Sequence, residues 1–343
     1  MIRVRSFQIY LFFLISLIFL SCRNSKGIDV SNIDLDIKIE RFDQDFKKLD
    51  SGKLTSQTNE LTKKYVYFFE DYIQGMLSLG NVKDTSYFKN LRTVLATKDF
   101  KELQKQVDHV FSDLTPTEAK LTDAFRKLNY YFPKVKAPRV ISFISGFTVQ
   151  TPIGENYVGI GLDMFLGADS KFYPGLRASI PAYISRRFTP ENITPRITEA
   201  FIREDLFEDS NKNKSLLDKM IYNGKVMYLM DQVLDTEPDS VKIGYTDKQL
   251  NWCKQYEGEI WAYFLNVELL YETDYMKIQK YLTDAPFTPG IGEGIESAPK
   301  LAIFTGWQIV KKYMEQNPEV TIQSLMKEQD SRKILGESKY KPK

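Results

Sequence analysis

One stretch of this chain interrupts an otherwise helical pattern of apolar residues. Residues 138–151 and 157–167 are two runs rich in β-branched and aromatic side chains, and a glycine-containing turn at 153–156 joins them. Elsewhere apolar residues recur at helical spacing, as between Leu61 and Leu77. The sequence therefore predicts a mainly α fold of the α+β class, in which the two runs form a small antiparallel β-hairpin or sheet.

The helical pattern also predicts where individual helices lie. The predicted segments are 61–77, 84–96, 98–112, 117–132, 194–210, 213–233, 246–271, 274–283, 299–316 and 321–334. Thr194 is the expected N-cap of its helix, with Pro195 in the first turn. Residues 257–274 are apolar on more than one face, which predicts a helix deep in the core. A short strand is expected within 34–42, and an ordered loop with short helices within 170–192.

The N-terminus has the features of a secretory signal peptide. Arg3 and Arg5 precede a twelve-residue, strongly apolar run that ends at Leu20. This run is too short for a membrane span, which takes ~20 apolar residues. The sequence IFLSC is similar to the end of a lipoprotein signal, so Cys22 is the predicted lipidation site. The alternative is an ordinary signal peptide that leaves Cys22 as a free thiol.

These features predict three parts of the chain. Residues 1–21 are the lipoprotein signal peptide, 22–45 the lipidated N-terminus and tether, and 46–343 a single globular domain. Within that domain we expect a helical N-terminal layer at 46–135 and the hairpin plus helical core at 136–343. Two or three acyl chains would hold the protein at a membrane of the cell envelope. Residues 23–26 contain no acidic cluster, which favours a position facing the periplasm on either the inner or the outer membrane.

The charge balance argues against nucleic acid as a partner. Removing residues 1–21 would remove two arginines and no acid, which leaves 45 basic and 45 acidic residues. Nucleic-acid binders need a strongly basic surface, and here the two signs alternate along the chain. With Cys22 acylated, Cys253 has no partner for an intrachain disulfide and is expected to pack as a small apolar side chain.

The chain has one histidine, His109, which excludes every site that needs two imidazoles. His109 lies in a helical stretch, where we expect a surface or packed position. Five acids crowd one predicted helix: Glu199, Glu204, Asp205, Glu208 and Asp209. Carboxylates alone can bind calcium or manganese, but a solvated helix face is the simpler interpretation. No metal or cofactor is predicted, and Glu199 is the one candidate for a catalytic residue.

Three further groups of residues are candidates for a function. Glu257 and Glu259 are expected to be buried carboxylates that seek arginine partners among Arg177, Arg186, Arg187, Arg196 and Arg203. The residues Tyr173, Arg177, Tyr183, Arg186 and Arg187 have the aromatic and arginine mixture of interface hot spots, although internal packing against buried acids explains them equally well. Trp252, Trp261 and Trp307 could stack on a glycan, with core packing as the alternative.

Seven ordered stretches carry a family resemblance, among them IKIERFDQDF at 37–46 and ESAPKLAIFTGWQIVKKYM at 296–314. The others lie at 161–174, 181–196, 224–253, 259–274 and 334–343. Together they resemble the gliding-motility lipoprotein family GldB of the Bacteroidetes. The resemblance implies an envelope lipoprotein that is needed for gliding and works with the other envelope proteins of the gliding machinery and its associated secretion system. It implies no reaction.

This family is also distantly similar to predicted zinc peptidases that carry an H-E-x-x-H helix. In that motif two histidines hold zinc and the glutamate activates water. Its counterpart here is residues 198–202, where Thr198 and Ile202 replace both histidines and Glu199 matches the base. The resemblance therefore implies a zincin-like scaffold without the metal site, acting as a non-catalytic scaffold or adaptor. The alternatives are a carboxylate-based or metal-assisted hydrolase using residues such as Glu199 and Glu259, and a glycan- or peptidoglycan-binding module.

Overall fold

The computed structural model describes residues 27–209, 214–292 and 297–343. The chain divides into two units, Met1–Asn32 and Ile33–Lys343. In the first unit, the described residues 27–32 contain neither helix nor strand. The predicted signal peptide and Cys22 lie outside the described residues. Within the described ranges, no helix combines the length and hydrophobicity that a membrane crossing needs.

Four short strands form one mixed sheet in the second unit. They are β1 (Ile39–Arg41), β2 (Arg139–Phe143), β3 (Ile153–Gly154) and β4 (Tyr157–Gly161). Their order across the sheet is β1-β2-β4-β3. Strand β2 is parallel to both β1 and β4, whereas β3 and β4 are antiparallel. The mainly α fold with a small sheet is thus confirmed, and β1 lies within the segment predicted to hold a strand.

The predicted hairpin is correct in its turn and wrong in its strand pairing. The turn is at Glu155 and Asn156, where Asn156 has a φ of 62°, but it joins β3 to β4. Strand β2 instead runs parallel to β4, with Val140 opposite Val158. After β2 the buried carboxylate of Asp163 accepts hydrogen bonds from the backbone N–H groups of Ser145 and Phe147, at 2.9 and 2.6 Å. These bonds fix the chain as it leaves the strand, and it then crosses over to return in the same direction.

Helices account for most of the second unit. In chain order they are α1 (Phe42–Lys47), α2 (Leu54–Tyr65), α3 (Tyr67–Glu70), α4 (Tyr87–Ala96), α5 (Lys98–Val110), α6 (Thr115–Tyr131), α7 (Ala182–Ser185), α8 (Ile193–Phe201), α9 (Leu216–Val233), α10 (Asp239–Ile243), α11 (Asp247–Gln255), α12 (Glu257–Asn266), α13 (Tyr275–Ile278), α14 (Leu301–Gln316), α15 (Ile322–Lys327) and α16 (Ser331–Ser338). Wider π-helical turns extend α3 over Asp71–Met76 and α8 over Ile202–Leu206.

The sheet separates two hydrophobic cores because successive side chains of a strand point to opposite faces. Ile141, Phe143 and Tyr157 belong to an aromatic core with α1, α2 and α3. Val140, Val158 and Ile160 belong to the larger core, which includes α6, α8, α9 and α14. The N-terminal helices and the later helices are therefore held together through the two faces of one sheet.

The centre of the larger core is the contact between α9 and α14. A Cβ atom on Gly224 would lie 2.2 Å from the carbonyl oxygen of Gly306, and one on Gly306 would lie 1.9 Å from that of Met220. The two backbones touch at these glycines, and no other residue type fits there.

The core helix predicted at 257–274 is wrong. Helix α12 ends at Asn266, and Glu268 follows in the left-handed conformation with a φ of 52°. Within α12 only Ile260 and Phe264 are fully buried, and Leu265 is 47% exposed. The apolar residues of this segment are divided between α12 and a short 3₁₀ helix at Leu269–Tyr271, so they do not form one buried helix.

The predicted N-cap of α8 is also wrong. The helix begins at Ile193, directly after the 3₁₀ turn Pro190–Asn192. No extended residue separates the two helical turns, so Thr194 and Pro195 lie inside the first turn and no side chain caps the helix.

Candidate functional site

Helix α8 carries the candidate residue Glu199 along the edge of the larger core. Ile197, Thr198 and Phe201 face inward, and the ring of Phe201 lies 5.0 Å from that of Phe125 on α6. The π-helical turn that follows α8 keeps Arg203 on the same side as Glu199. Side chains three and four residues apart share a helix face, which brings Arg196, Glu199 and Arg203 together.

Two arginines enclose the carboxylate of Glu199. Arg196 Nη1 donates to Oε2 at 2.7 Å, and Arg203 Nε donates to Oε1 at 2.9 Å. The Glu199 side chain is only 17% exposed. Burial by itself would raise the pKa of Glu199, but the positive charges of Arg203, Arg196 and Lys300 lower it to about 2. A carboxylate with so low a pKa is a poor proton acceptor at neutral pH, so this glutamate is badly suited to general-base catalysis.

A second ion-pair group, centred on Asp284, adjoins the first. Its carboxylate accepts a hydrogen bond from Arg187 Nη2 at 2.8 Å and lies 3.1 Å from Lys300 Nζ. Burial would raise the pKa of Asp284, but Lys300 and Arg187 hold it well below its usual range. Lys300 also donates to the carbonyl oxygen of Ile243 at 2.6 Å.

For Lys300, unlike for Asp284, burial disfavours the charged form more than the neighbouring charges favour it. It lowers the pKa of Lys300 to about 8, because desolvation and the nearby arginines Arg187 and Arg196 outweigh the attraction of Asp284 and Glu199. The side chain of Lys300 is 10% exposed and that of Asp284 is 31% exposed. Lys300 is the more deeply buried of the two, so its charged form loses more hydration. Desolvation therefore dominates the pKa shift of Lys300, whereas the nearby positive charges dominate the pKa shift of Asp284.

We call the set Arg187, Arg196, Glu199, Arg203, Asp284 and Lys300 the charge cluster. It holds four basic and two acidic side chains from α8, the loop before α14 and two other loops. Arg187 is 8% exposed, and its Nε and Nη1 atoms have no hydrogen-bond partner within the described residues. Such a network can fix several segments of the chain relative to each other.

The residues around Glu199 do not fit a zinc site. Thr198 and Ile202, at the positions of the two motif histidines, are both fully buried. Neither side chain is a zinc ligand of the usual kind. Across the described ranges no group of three or more His, Cys, Asp and Glu side chains could hold a metal ion.

The other four acids of the predicted helix 194–210 are solvated, as the simpler interpretation predicted. Glu204, Asp205, Glu208 and Asp209 are all exposed. His109 is exposed on α5, and Cys253 is a buried free cysteine, both in the kind of position expected for them.

The predicted interaction residues have different environments. Tyr173 is fully buried, and its hydroxyl accepts from the backbone N–H of Leu166 and donates to the carbonyl oxygen of Asp163. For Tyr173 and Arg187 the structure agrees with the packing alternative. Arg177 is exposed and Tyr183 is half-buried, so both are accessible to a partner. Arg186 is half-buried and donates to the carbonyl oxygen of Gly244 at 2.8 Å.

The expectation that Glu257 and Glu259 are buried partners of arginines is wrong. Glu257 is half-buried and accepts a hydrogen bond from the hydroxyl of Tyr340 at 2.8 Å. Glu259 is exposed. Both lie in the first turn of α12, whose outer face is open to solvent, so neither carboxylate is forced to find a buried partner.

The three tryptophans also differ. Trp307 is fully buried on α14, and its Nε1 donates to Asp231 at 2.7 Å. Trp261 is half-buried, with its ring 5.3 Å from that of Tyr340. Trp252 is half-buried and lines a surface pocket together with Glu259. Of the three, Trp307 has the core role.

Sequence reasoning missed Asp284 and Lys300 as members of the charge cluster. Asp284 lies between two predicted helices, and Lys300 lies at the start of the predicted helix 299–316, where no local pattern marks either residue as buried. The only available signal was the excess of arginines between 177 and 203, which would need acids from elsewhere in the chain.

The fold and this site describe a mainly α protein whose candidate catalytic glutamate is held in a structural ion pair. A family model described as gliding motility protein GldB matches residues 23–342, nearly the whole chain. The chain therefore belongs to the GldB family, as the sequence resemblance predicted, and this family is involved in gliding motility. No curated protein and no solved structure matches the chain.

Proposed function

We propose that this protein is an envelope adaptor of the gliding machinery that positions or stabilises other components and catalyses no reaction. The observation that carries the proposal is the environment of Glu199. Its two arginine partners and a pKa of about 2 favour a structural role for the one residue that matches a catalytic base.

The adaptor acts from a membrane surface in this proposal. Cys22 carries the lipid, and the folded body faces the periplasm. Two or more acyl chains, at ~0.8 kcal/mol per buried methylene, give stable anchoring where a single chain is marginal. The protein then meets its partners close to the membrane.

The accessible part of the segment 170–192 is the proposed contact surface. Arg177 is exposed and Tyr183 is half-buried, and these residue types contribute much of the binding energy at protein interfaces. Arg177 Nη1 donates to Ser185 Oγ at 2.8 Å, which holds the two ends of this surface together.

Site-specific photo-crosslinking in living cells tests this function. A photoreactive phenylalanine analogue replaces Tyr183 in one strain and Tyr130, an exposed tyrosine on α6, in a matched control strain. We expect position 183 to capture one or a few envelope proteins that position 130 does not. Capture of no envelope protein, together with unchanged motility after Tyr183→Ala and Arg177→Ala, would contradict the adaptor.

The rival hydrolase function has its own test. Purified full-length protein is analysed for bound metal, and Glu199→Gln is compared with the parent for motility at equal abundance. Under the adaptor proposal the protein holds no stoichiometric metal and the folded variant supports gliding. A stoichiometric metal, or lost motility in a folded and abundant variant, would favour catalysis.

A further inference from the structure

Helices α11 and α12 form one side of a surface pocket with a volume of about 390 Å³. Its lining includes Trp252, Tyr256, Glu259 and Tyr263 from this side and the loop 290–292 from the other. Trp252 and Tyr256 are four residues apart, as are Glu259 and Tyr263. Each pair therefore lies on one helix face. The volume is within the range of ~300–1,000 Å³ that is usual for ligand pockets.

Three aromatic side chains dominate the walls of this pocket. The rings of Trp252 and Tyr256 have their centroids 5.2 Å apart and are tilted by 39°, so they do not cover each other as a flat stack would. Trp252, Tyr256 and Tyr263 are all only half-buried. A Cβ atom on Gly292 would lie 2.8 Å from Cζ2 of Trp252. Glycine at this position lets the 290–292 loop lie against the indole edge, which completes the opposite wall.

Among the described residues, the only ionised side chain in the lining is the carboxylate of Glu259. It is exposed and has no hydrogen-bond or ion-pair partner among the described residues. No lysine or arginine of the described ranges lines the pocket. The Nζ of Lys280 lies 4.9 Å from the ring of Tyr281. The hydroxyl of Tyr281 in turn lies 3.0 Å from that of Tyr263 on the pocket wall.

We propose that this pocket binds the ammonium or guanidinium group of a lysine or arginine side chain from a partner protein. Aromatic ring faces attract cations, tryptophan most strongly, and an unpaired carboxylate beside them adds a charge of the right sign. The inference rests on the proposed adaptor function and names the chemistry by which a partner is held.

The lining favours a cation over a sugar. A sugar ring needs several hydrogen-bond partners around it, because the pocket's polar groups fix its orientation. Here the hydroxyl of Tyr263 is already bonded to Tyr281. The other polar side-chain groups of the lining are the carboxylate of Glu259, the hydroxyl of Tyr256 and the indole N–H of Trp252. Aromatic rings beside a single carboxylate are complementary to an alkyl chain that ends in a positive charge.

The pocket is also connected to the proposed contact surface. Gln249, one turn before Cys253 and Trp252 on α11, accepts a hydrogen bond from Arg186 Nη2 at 3.3 Å. The carbonyl oxygen of Pro286 in turn accepts from Gln249 Nε2 at 3.3 Å. A partner that contacts the 170–192 segment can therefore extend towards the pocket along α11.

Fluorine NMR on the full-length lipoprotein in detergent tests the proposal. The protein is labelled with 5-fluorotryptophan, and Trp252→Phe identifies the resonance of Trp252 among the three. We expect Nα-acetyl-lysine methylamide and its arginine counterpart to shift this resonance in a saturable way. The neutral analogues norleucine and citrulline, in the same blocked form, should leave it unchanged.

Two matched variants sharpen the test. Glu259→Gln removes the charge at an exposed position and should weaken binding of the lysine derivative about three- to fivefold, since exposed ion pairs contribute up to ~1 kcal/mol. Glu60→Gln, at another exposed helical glutamate, should bind like the parent.

Four outcomes would overturn the proposal. They are equal binding of the neutral analogues, a shift of Trp252 with N-acetylglucosamine oligomers instead, a shift only with phosphatidylethanolamine vesicles, and no shift with any probe. Failure here is distinguishable from failure of the adaptor function. Lost cation binding with intact crosslinks from position 183 rejects the pocket alone, whereas intact cation binding without any crosslinked envelope protein rejects the adaptor.

Discussion

The charges that surround Glu199 decide what this residue can do. A carboxylate held by Arg196 and Arg203 keeps its negative charge over the whole physiological range. Its contribution is to neutralise two arginines that would otherwise be costly to bury. The protein thus has a glutamate at the position of the H-E-x-x-H base, but its surroundings lower the pKa too far for it to act as a catalytic base.

Acid titration of stability makes this environment measurable. The pKa of Glu199 falls from 4.5 to about 2 on folding, so the folded state binds this proton less tightly than the unfolded state. The stabilisation is fully present above about pH 4.5, is lost as the pH falls towards 2, and amounts to about 3 kcal/mol. We expect Glu199→Gln to lose this part of the pH dependence in urea unfolding curves.

The control for that experiment is Glu319→Gln, which changes an exposed glutamate without an ion pair among the described residues. It should keep the parental pH dependence. If Glu199→Gln keeps it as well, Glu199 is not held by the arginines in solution.

The contact between α9 and α14 gives the clearest prediction for an element. Gly306→Ala places a methyl group 1.9 Å from the carbonyl oxygen of Met220. The helices must separate, and we expect a loss of about 1–3 kcal/mol or more in the free energy of unfolding.

Gly336→Ala on α16 is the matched control, because no atom lies within 4 Å of its Cβ position. There, higher helix propensity should stabilise the protein by about 0.5–1 kcal/mol. Denaturant unfolding measures both, and equal effects would show that the helices do not touch.

At the junction between α2 and α3, a substitution to glycine is expected to stabilise the protein. Val66 interrupts the predicted helix at 61–77 with a φ of 45°, and its side chain is 47% exposed. Strain of this kind costs about 1–3 kcal/mol in a β-branched residue. Val66→Gly should therefore raise the midpoint of thermal unfolding. Val267→Gly should lower it, because Val267 is equally exposed at an unstrained φ of −94°. A decrease in both variants would argue against strain at Val66.

For the whole molecule, the prediction concerns the lipid anchor. Cys22→Ala removes the only proposed attachment point, so the protein should move from the membrane fraction to the soluble fraction and gliding should fail. Cys253→Ala, at the buried free cysteine of α11, should leave the protein in the membrane fraction. Immunoblots of fractionated cells and spreading assays check both. A soluble Cys22→Ala protein with normal motility would contradict the anchoring proposal.

Much of the helical layout could be predicted because it depends on local periodicity. The predicted helices at 98–112 and 117–132 match α5 and α6 to within two residues, and the turn at Glu155 and Asn156 is also correct. The pairing of β2 with β4 could not be predicted, since strand partners depend on a crossover that local pattern does not reveal. The same limit explains the break of the predicted core helix after Asn266.

The candidate site shows the same division. The amino-acid composition alone excludes a two-histidine zinc site, because the chain has one histidine. Helix geometry alone places Arg196, Glu199 and Arg203 on one helix face. Folding adds Arg187, Asp284 and Lys300 from segments about 100 residues apart, and their burial sets the pKa values of the cluster. Desolvation and charge proximity depend on three-dimensional distance, so this part of the chemistry exists only once the core has assembled.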